Sequence, residues 1–396
     1  MKITSVEVFM GYAINVKVNT DEGISGFGEA GLQYGASRES AFGQCCDYAK
    51  KVIGMDPFHT EEIWDFLRRN TFWGMGGGVA VTSAISAIDT ACWDIKGKKL
   101  GVPVHMLIGG KRNEKLRTYA SQLQCGWTSA ANASDSMTVL SDPEDYYKVV
   151  KEAMAEGYDA VKIDPVQNPR EQINMQQLMR TMGRHQYGHM RKEDINLAIE
   201  RIAAAREAGG ENLDIIVEVH SLLDANTAAQ FGKALEPYNI MYFEEPTSPE
   251  NPSNFRHIYN RCSVPLATGE RSYTRWGFRQ FFEDRTLNVI QPDLCNTGGI
   301  TETLKICAMA EVYDMGVQIH VCGGPIATAA ALQVEAVLPN FLIHEHHCFA
   351  LTNGCKKTAI YDYQPVGGFY EIPDLPGIGQ ELTEEEMAKA RKVVIS

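Results

Sequence analysis

A closed barrel of parallel strands and helices, carried beside an N-terminal α+β unit, is the fold that this 396-residue chain predicts. Three observations carry the prediction. Strand-like and helix-like runs alternate from LRTYASQL to FLIHEHH. Glu218, Glu244 and Glu270 stand 26 residues apart, each closing a short apolar run (IIVE, IMYFE, VPLATGE). The beat then continues at intervals of 23, 27 and 25 residues with Asp293, His320 and Glu345. Such a period equals about one strand plus one returning helix, so successive strand ends meet around one mouth. The runner-up is an open doubly wound sheet, which would gather functional residues at one switch point rather than on many strand ends.

Residues 1–112 read as the α+β unit. ITSVEVFM and AINVKVNT alternate as strands, and a turn at Asp21-Glu22-Gly23 leads to a third strand, ISGFGEA. Helical patterns follow near 38–54, 59–70 and 78–97. The last is apolar around most of its circumference and should lie between the two units. Gly109-Gly110 marks the boundary. Residues 113–360 form the barrel: YYKVVKEAMAEG precedes YDAVKID, INLAIERIAAAREAG precedes DIIVEVH, AAQFGKALEPY precedes IMYFEEP, and ETLKICAMAEVYD precedes GVQIH. Two insertions, 125–142 and 165–192, lengthen the first βα connections and are expected to form lids, substrate contacts or oligomer contacts. Residues 361–396 lack helical periodicity after 360 and should return across the first unit.

Composition excludes several classes of function. A formal net charge of −13 leaves no basic patch to bind nucleic acid or an anionic membrane. No run approaches the roughly 18 to 20 uncharged residues of a membrane span, and the N-terminus has no continuous apolar segment of a signal peptide. The ten cysteines form no CxxC pair, and Cys92, Cys262 and Cys307 sit in apolar runs, so a reduced, cytoplasmic protein is expected.

The strand ends carry the chemistry. Three carboxylates around one mouth offer a trigonal set of oxygen ligands to a hard cation such as Mg²⁺, with one side open; each alone would be an ordinary polar rim residue. Alternation along IMYFEEP lets only one of Glu244 and Glu245 point inward. His220 lies two residues after Glu218 and shares its face, so it can act as an acid or base, as a nitrogen ligand, or as a structural hydrogen-bonding group. His320 and Asp293 end neighbouring strands and can pair, either structurally or as a base whose tautomer the carboxylate fixes. Lys162 ends AVKID and can bind an anion or balance the acids. Glu345 can reach a substrate carboxylate, but the flanking His344, His346 and His347 leave the faces open. The glycine-rich FWGMGGG, with Trp73, lies outside any strand–helix context for a nucleotide loop and reads as a flexible loop over the mouth.

These motifs carry a resemblance. SAISAIDTACWDIKGKKLGVPV, MLIGG, AVKID, EVH, FEEP, TGE, QPDLCNTGGI and HVCGGPIATAAALQ resemble the enolase superfamily, in its mandelate racemase-like branch, along essentially the whole chain. The resemblance implies a modified TIM (β/α) barrel under an α+β capping domain that the C-terminal segment completes. It implies Mg²⁺ held by Glu218, Glu244 and Glu270, selecting Glu244 over Glu245, and abstraction of a proton beside a carboxylate, a mechanism the handling of ene-diolates in this superfamily illustrates. His320–Asp293 becomes the base pair. Lys162, Asp164, Glu345 and Trp73 make the expected substrate-binding set. A histidine two residues after the first ligand resembles sugar-acid dehydratases of the galactonate dehydratase type, where it protonates the departing 3-hydroxyl. The expected activity is therefore dehydration of an aldonate or aldarate to a 2-keto-3-deoxy acid. An epimerase or cycloisomerase working through the same enolate, and a catalytically silent metal-binding homologue, are the alternatives. Two positions depart from the pattern: Glu218 replaces the commoner Asp, and Asp164 stands where racemases carry a second lysine. The partners implied are a small acid-sugar substrate and further copies of the chain.

Overall fold

The structure, a computed structural model, describes residues 1–32, 37–127, 139–169, 177 and 188–396. The core of both insertions (128–138, 170–176 and 178–187) falls outside the described residues, and with it the expectation of lids, substrate contacts or oligomer contacts.

The N-terminal unit is a three-stranded meander, β1 (Ile3–Met10), β2 (Ile14–Thr20) and β3 (Ser25–Ala30), against helices α1 (Arg38–Val52), α2 (Thr60–Arg69) and α3 (Gly78–Leu100). Its register pairs Val8 with Val16 and Val6 with Val18, which puts all four valines on the helix-covered face. The α3 helix is buried around its circumference, as its pattern predicts. On one side its backbone lies so close to β3 that a Cβ at Gly28 would stand 1.9 Å from the Ala87 carbonyl oxygen. On the other, Asp89 accepts hydrogen bonds from the backbone N–H and hydroxyl of Thr301 at 2.9 and 2.6 Å, capping a barrel helix, Gly299–Val312. The helix ends where Gly101 adopts φ 69°, its N–H turned back to the Gly97 and Lys98 carbonyls.

Eight parallel strands among the described residues form the barrel: β4 (Lys115–Ser121), β5 (Ala160–Ile163), β6 (Asp214–Glu218), β7 (Tyr242–Glu244), β8 (Leu266–Thr268), β9 (Val289–Ile290), β10 (Gly316–Val317) and β11 (His344–His347). Each pairs with the next through β10, β11 returns to β4, and a bridge from Val317 to Phe341 closes the ring. The doubly wound alternative is thereby excluded. Because side chains alternate along a strand, the inward ones stack in layers. Tyr119, Ala160, Ile216, Tyr242, Ala267, Val289 and Ile343 form an apolar lower plug. Two residues further along, Ser121, Lys162, Glu218, Glu244 and Glu345 form a buried polar layer. A further step reaches Asp164, His220 and His347 at the mouth.

The C-terminal segment does more than return to the cap. Its strand β12 (Phe369–Glu371) first pairs antiparallel with β4 at the lower end of the barrel, where Tyr370 packs with Leu116, Leu332 and Ile372. Only then does β13 (Arg391–Ile395) join the cap sheet beside β1. No described helix is long and apolar enough to cross a membrane.

Candidate active site

Just below the mouth the structure gathers one carboxylate oxygen each from Glu218, Glu244 and Glu270 within 4.8 Å of one another. Glu218 and Glu244 close β6 and β7, whose register sets the two residues opposite each other. The adjacent Glu245 points away, with φ 44°, to accept hydrogen bonds from the hydroxyls of Ser221 and Thr268 and from Arg271, which also bonds Glu270. Burial, and next the charge of Glu218, push the Glu244 carboxyl up to about 8, against the pull of Lys162. Glu218 Oε1 and Glu244 Oε2 are buried and meet no hydrogen-bond donor among the described residues. Crowded, underpartnered carboxylate oxygens are what a hard divalent cation satisfies, so these residues fit such an ion.

Two histidine–aspartate pairs flank the acids. His320 Nδ1 lies 2.8 Å from Asp293 Oδ2, and its Nε2 lies 2.9 Å from Glu270 Oε2. Burial alone would lower its pKa, but the charge of Glu270 and the bonds to Asp293 and Glu270 raise it well above the usual histidine range. Asp293 is itself fixed by the Cys295 N–H at 2.7 Å and the Asn296 amide at 3.1 Å. Asn296 in turn accepts from Ser83 of α3 at 2.8 Å, so the cap helix reaches the pair through a continuous chain of hydrogen bonds. Across the mouth, His220 Nδ1 lies 2.6 Å from Asp164 Oδ2. Burial opposes its protonation most, yet Glu218 and the Asp164 hydrogen bond outweigh it and raise its pKa to about 9. Left-handed backbone at His220 (φ 45°) and Ser221 (φ 60°) turns the imidazole over the mouth. The strained turn is held by Ser221, whose N–H donates to the Glu245 carbonyl at 2.9 Å.

The residues of the expected substrate-binding set lie at different depths. Lys162 does not face the cavity: it is buried in the polar layer, 3.2, 2.9 and 2.8 Å from Glu218, Glu244 and Glu345. There it offsets the charge of these three acids. Glu345 is likewise occupied, accepting from the Ser121 hydroxyl at 2.7 Å and the Val321 N–H at 3.0 Å, and Lys162 holds its carboxyl below the usual range despite burial. Asp164 is wholly buried; one oxygen meets His220 and the other accepts the Val166 and Gln167 N–H groups, so its carboxylate orients the imidazole. Trp73 is 73% exposed, edge-on to Phe72, and does not line the cavity. The cavity itself, about 370 Å³, opens above Glu270, His220 and His320.

Several of its residues had escaped notice. Gln122, just beyond β4 and in left-handed backbone (φ 64°), donates its amide to Glu218 at 2.8 Å and lies 3.4 Å from His220 Nε2. Asn296 and Ser83 are equally invisible in sequence, because each acts through contacts more than two hundred residues away along the chain. The ambiguity in HEHH is resolved: His344 and His346 face outward, to Glu335 and the Tyr158 hydroxyl, while His347 lines the cavity.

A closed barrel under an α+β cap, with three carboxylates on successive strands and a histidine–aspartate pair beside them, defines the enolase class of enzyme fold. Residues 2–109 match the mandelate racemase / muconate lactonizing enzyme N-terminal domain, and residues 145–386 match the enolase C-terminal domain-like family. The chain belongs to the enolase superfamily, in its mandelate racemase branch. The D-galactonate dehydratase of Ralstonia pickettii (strain 12J) is 33% identical over 376 residues, covering 93% of this chain and 88% of that protein. A member of the enolase superfamily from Salmonella Typhimurium superposes over 100% of both chains, with a TM-score of 0.95 and 47% identity. A protein of Zymomonas mobilis ZM4 gives 0.94 and 45%, over 100% of this chain and 99% of that one.

Proposed function

We propose that the chain is a divalent-metal-dependent hydro-lyase that dehydrates an acid sugar to a 2-keto-3-deoxy acid. The observation that carries this reading is the pair of carboxylate-oriented imidazoles, His320–Asp293 and His220–Asp164, facing each other across one cluster of acids. A dehydratase needs a base at C2 and an acid at the 3-hydroxyl of one substrate, and two opposed imidazoles supply both. The 33% identity to a D-galactonate dehydratase supports an aldonate as the substrate class.

Glu218, Glu244 and Glu270 would hold the cation, Mg²⁺ by the hardness of an all-oxygen set, which supplies positive charge beside the substrate carboxylate as negative charge develops there. His320 Nε2 takes the C2 proton. Glu270 is the main source of its raised pKa, so any positive charge shared with Glu270 returns the ring toward the range of a working base. The C–H electron pair forms the C2–C3 double bond, and the C3–O bond breaks. His220 Nε2–H delivers its proton to the departing oxygen, by syn or anti geometry, and the enol becomes the 2-keto acid. Asp293 and Asp164 keep each Nδ1 proton in place, so that Nε2 is the working nitrogen on both rings. A substrate of opposite C2 configuration exchanges the two histidine roles. All ten cysteines are free, which supports a reducing, cytoplasmic setting.

A panel of aldonates and aldarates with Mg²⁺, assayed for 2-keto product and run in parallel in D₂O, tests the reading. We expect product from at least one aldonate. Exchange at C2 without product would sink dehydration in favour of epimerisation or cycloisomerisation, and silence on every member would sink turnover altogether.

A further inference from the structure

Two residues past Glu345 on β11 stands His347, as His220 stands two past Glu218 and Asp164 two past Lys162. Alternation places it in the uppermost barrel layer with the acid–base groups, and it lines the cavity while only 8% exposed. Its Nδ1 accepts the backbone N–H of Phe349 at 3.1 Å, with the Cys348 thiol 3.8 Å away. A ring nitrogen that accepts carries no proton, so the neutral imidazole bears its hydrogen on Nε2. The surroundings keep the ring neutral. Burial lowers its pKa most, Glu345 opposes, and the positive charges of Lys162, His320 and His220 add to a fall that ends at about 3. Among the described residues, Nε2–H meets no protein acceptor.

The two cations beside the acids are paired. Lys162 is locked among three carboxylates below the mouth, and Arg271 is tied to Glu245 and Glu270. A polyhydroxy acid lying over Glu218 and Glu270 brings oxygen atoms to the β11 side, where an oriented N–H waits. We propose that His347 is a substrate-contacting residue whose Nε2–H donates a hydrogen bond to a carboxylate or hydroxyl oxygen of the bound acid. The substrate class rests on the dehydratase reading above; the tautomer and the orientation do not. The ring gives a hydrogen bond and never a proton, so it selects substrates by the presence of an oxygen: an analogue lacking that oxygen strands a buried donor.

Two measurements decide this. In ¹⁵N-histidine-labelled full-length protein, the ring signals of His347, assigned by their loss in His347→Gln, should show the neutral Nε2–H form from pH 5.5 to 8.5, a span chosen to lie well above about 3. An imidazolium or an Nδ1–H form would overturn the proposal, whether or not a substrate is known. With whichever acid the panel turns over, His347→Leu should lower kcat/KM by about 10- to 100-fold, the worth of a buried hydrogen bond to a charged group. His347→Gln, which keeps an N–H donor, should recover part of the loss, and Mg²⁺ affinity and Tm should move little in both. A kcat/KM for His347→Leu within about twofold of wild type, or a loss matched by a fall in Tm that Gln does not rescue, would overturn the contact. If wild type turns over no acid, the dehydratase reading falls by itself and the ring signals still judge the orientation of His347.

Discussion

The two histidine–aspartate pairs look alike but are built differently. Asp293–His320 sits on the loops after β9 and β10, and its aspartate is tied through Asn296 to Ser83 of the cap. Asp164–His220 sits just past β5 and β6, and its carboxylate accepts the neighbouring Val166 and Gln167 N–H groups, while the Asp164 N–H donates to Gln124 of the barrel at 3.1 Å. Among the described residues, one pair is bonded to both domains and the other to barrel residues. Each Nε2 also faces a different acid, Glu270 at 2.9 Å and Glu218 at 3.3 Å. Chemically similar pairs can therefore serve opposite proton transfers, because the neighbour at the working nitrogen differs.

Removing the working rings should separate the pairs most sharply. His320→Asn is expected to abolish both C2 exchange in D₂O and dehydration, by about 10³-fold or more, whereas His220→Asn should lose dehydration by about 10²- to 10⁴-fold and retain exchange. Equal loss of exchange in both variants would mean that the roles are not divided. The orienting carboxylates should repeat the split on a smaller scale. Asp293→Asn should slow exchange roughly 10- to 100-fold, and Asp164→Asn should slow only the elimination by a similar factor, as for other partners that fix a histidine's orientation. Kinetics of both variants on one substrate would show whether the smaller split exists.

The pairs also predict a pH signature in metal-free protein. His220 rises from 6.5 unfolded to about 9 folded, so the stability that its protonation contributes is complete below 6.5 and lost as pH climbs through about 9. The Tm of metal-free wild type should thus fall more steeply between these values than that of His220→Gln, by scanning calorimetry, and Mg²⁺ should flatten the slope. Identical slopes would remove His220 from the account. The smallest effect belongs to the cap. Ser83→Ala deletes one hydrogen bond two steps from His320, and should cost a factor of roughly 2 to 10 in C2 exchange, the scale of one net hydrogen bond. A chain that exchanges as fast as wild type would show that the cap does not help to set the base.

Much of this was readable in the sequence, and the limits have physical causes. The βα rhythm and the three equally spaced glutamates announce the barrel and the acid cluster, since period and strand length are local properties. Alternation also tells which face a residue occupies. It does not tell how high on the barrel a residue sits, so the position of Lys162 and Glu345 one layer below Asp164, His220 and His347 was not legible from it. The comparison of spacings that reveals this was available: Asp164, His220 and His347 each follow a residue of the polar layer by two. Gln122 and Asn296 were beyond reach, because a left-handed turn at a non-glycine residue and a contact from Asn296 to Ser83 leave no local mark.

The pairing of β13 with β1 has a meaning for the order of assembly. The strand at residues 3–10 has its outer neighbour at 391–395, with the barrel synthesised between them. On the ribosome, β1 must wait with one edge open until nearly everything else has emerged, a separation that makes this contact among the slowest to form. The cap that bears Ser83 is thus completed by the strand pairing of longest sequence separation among the described residues.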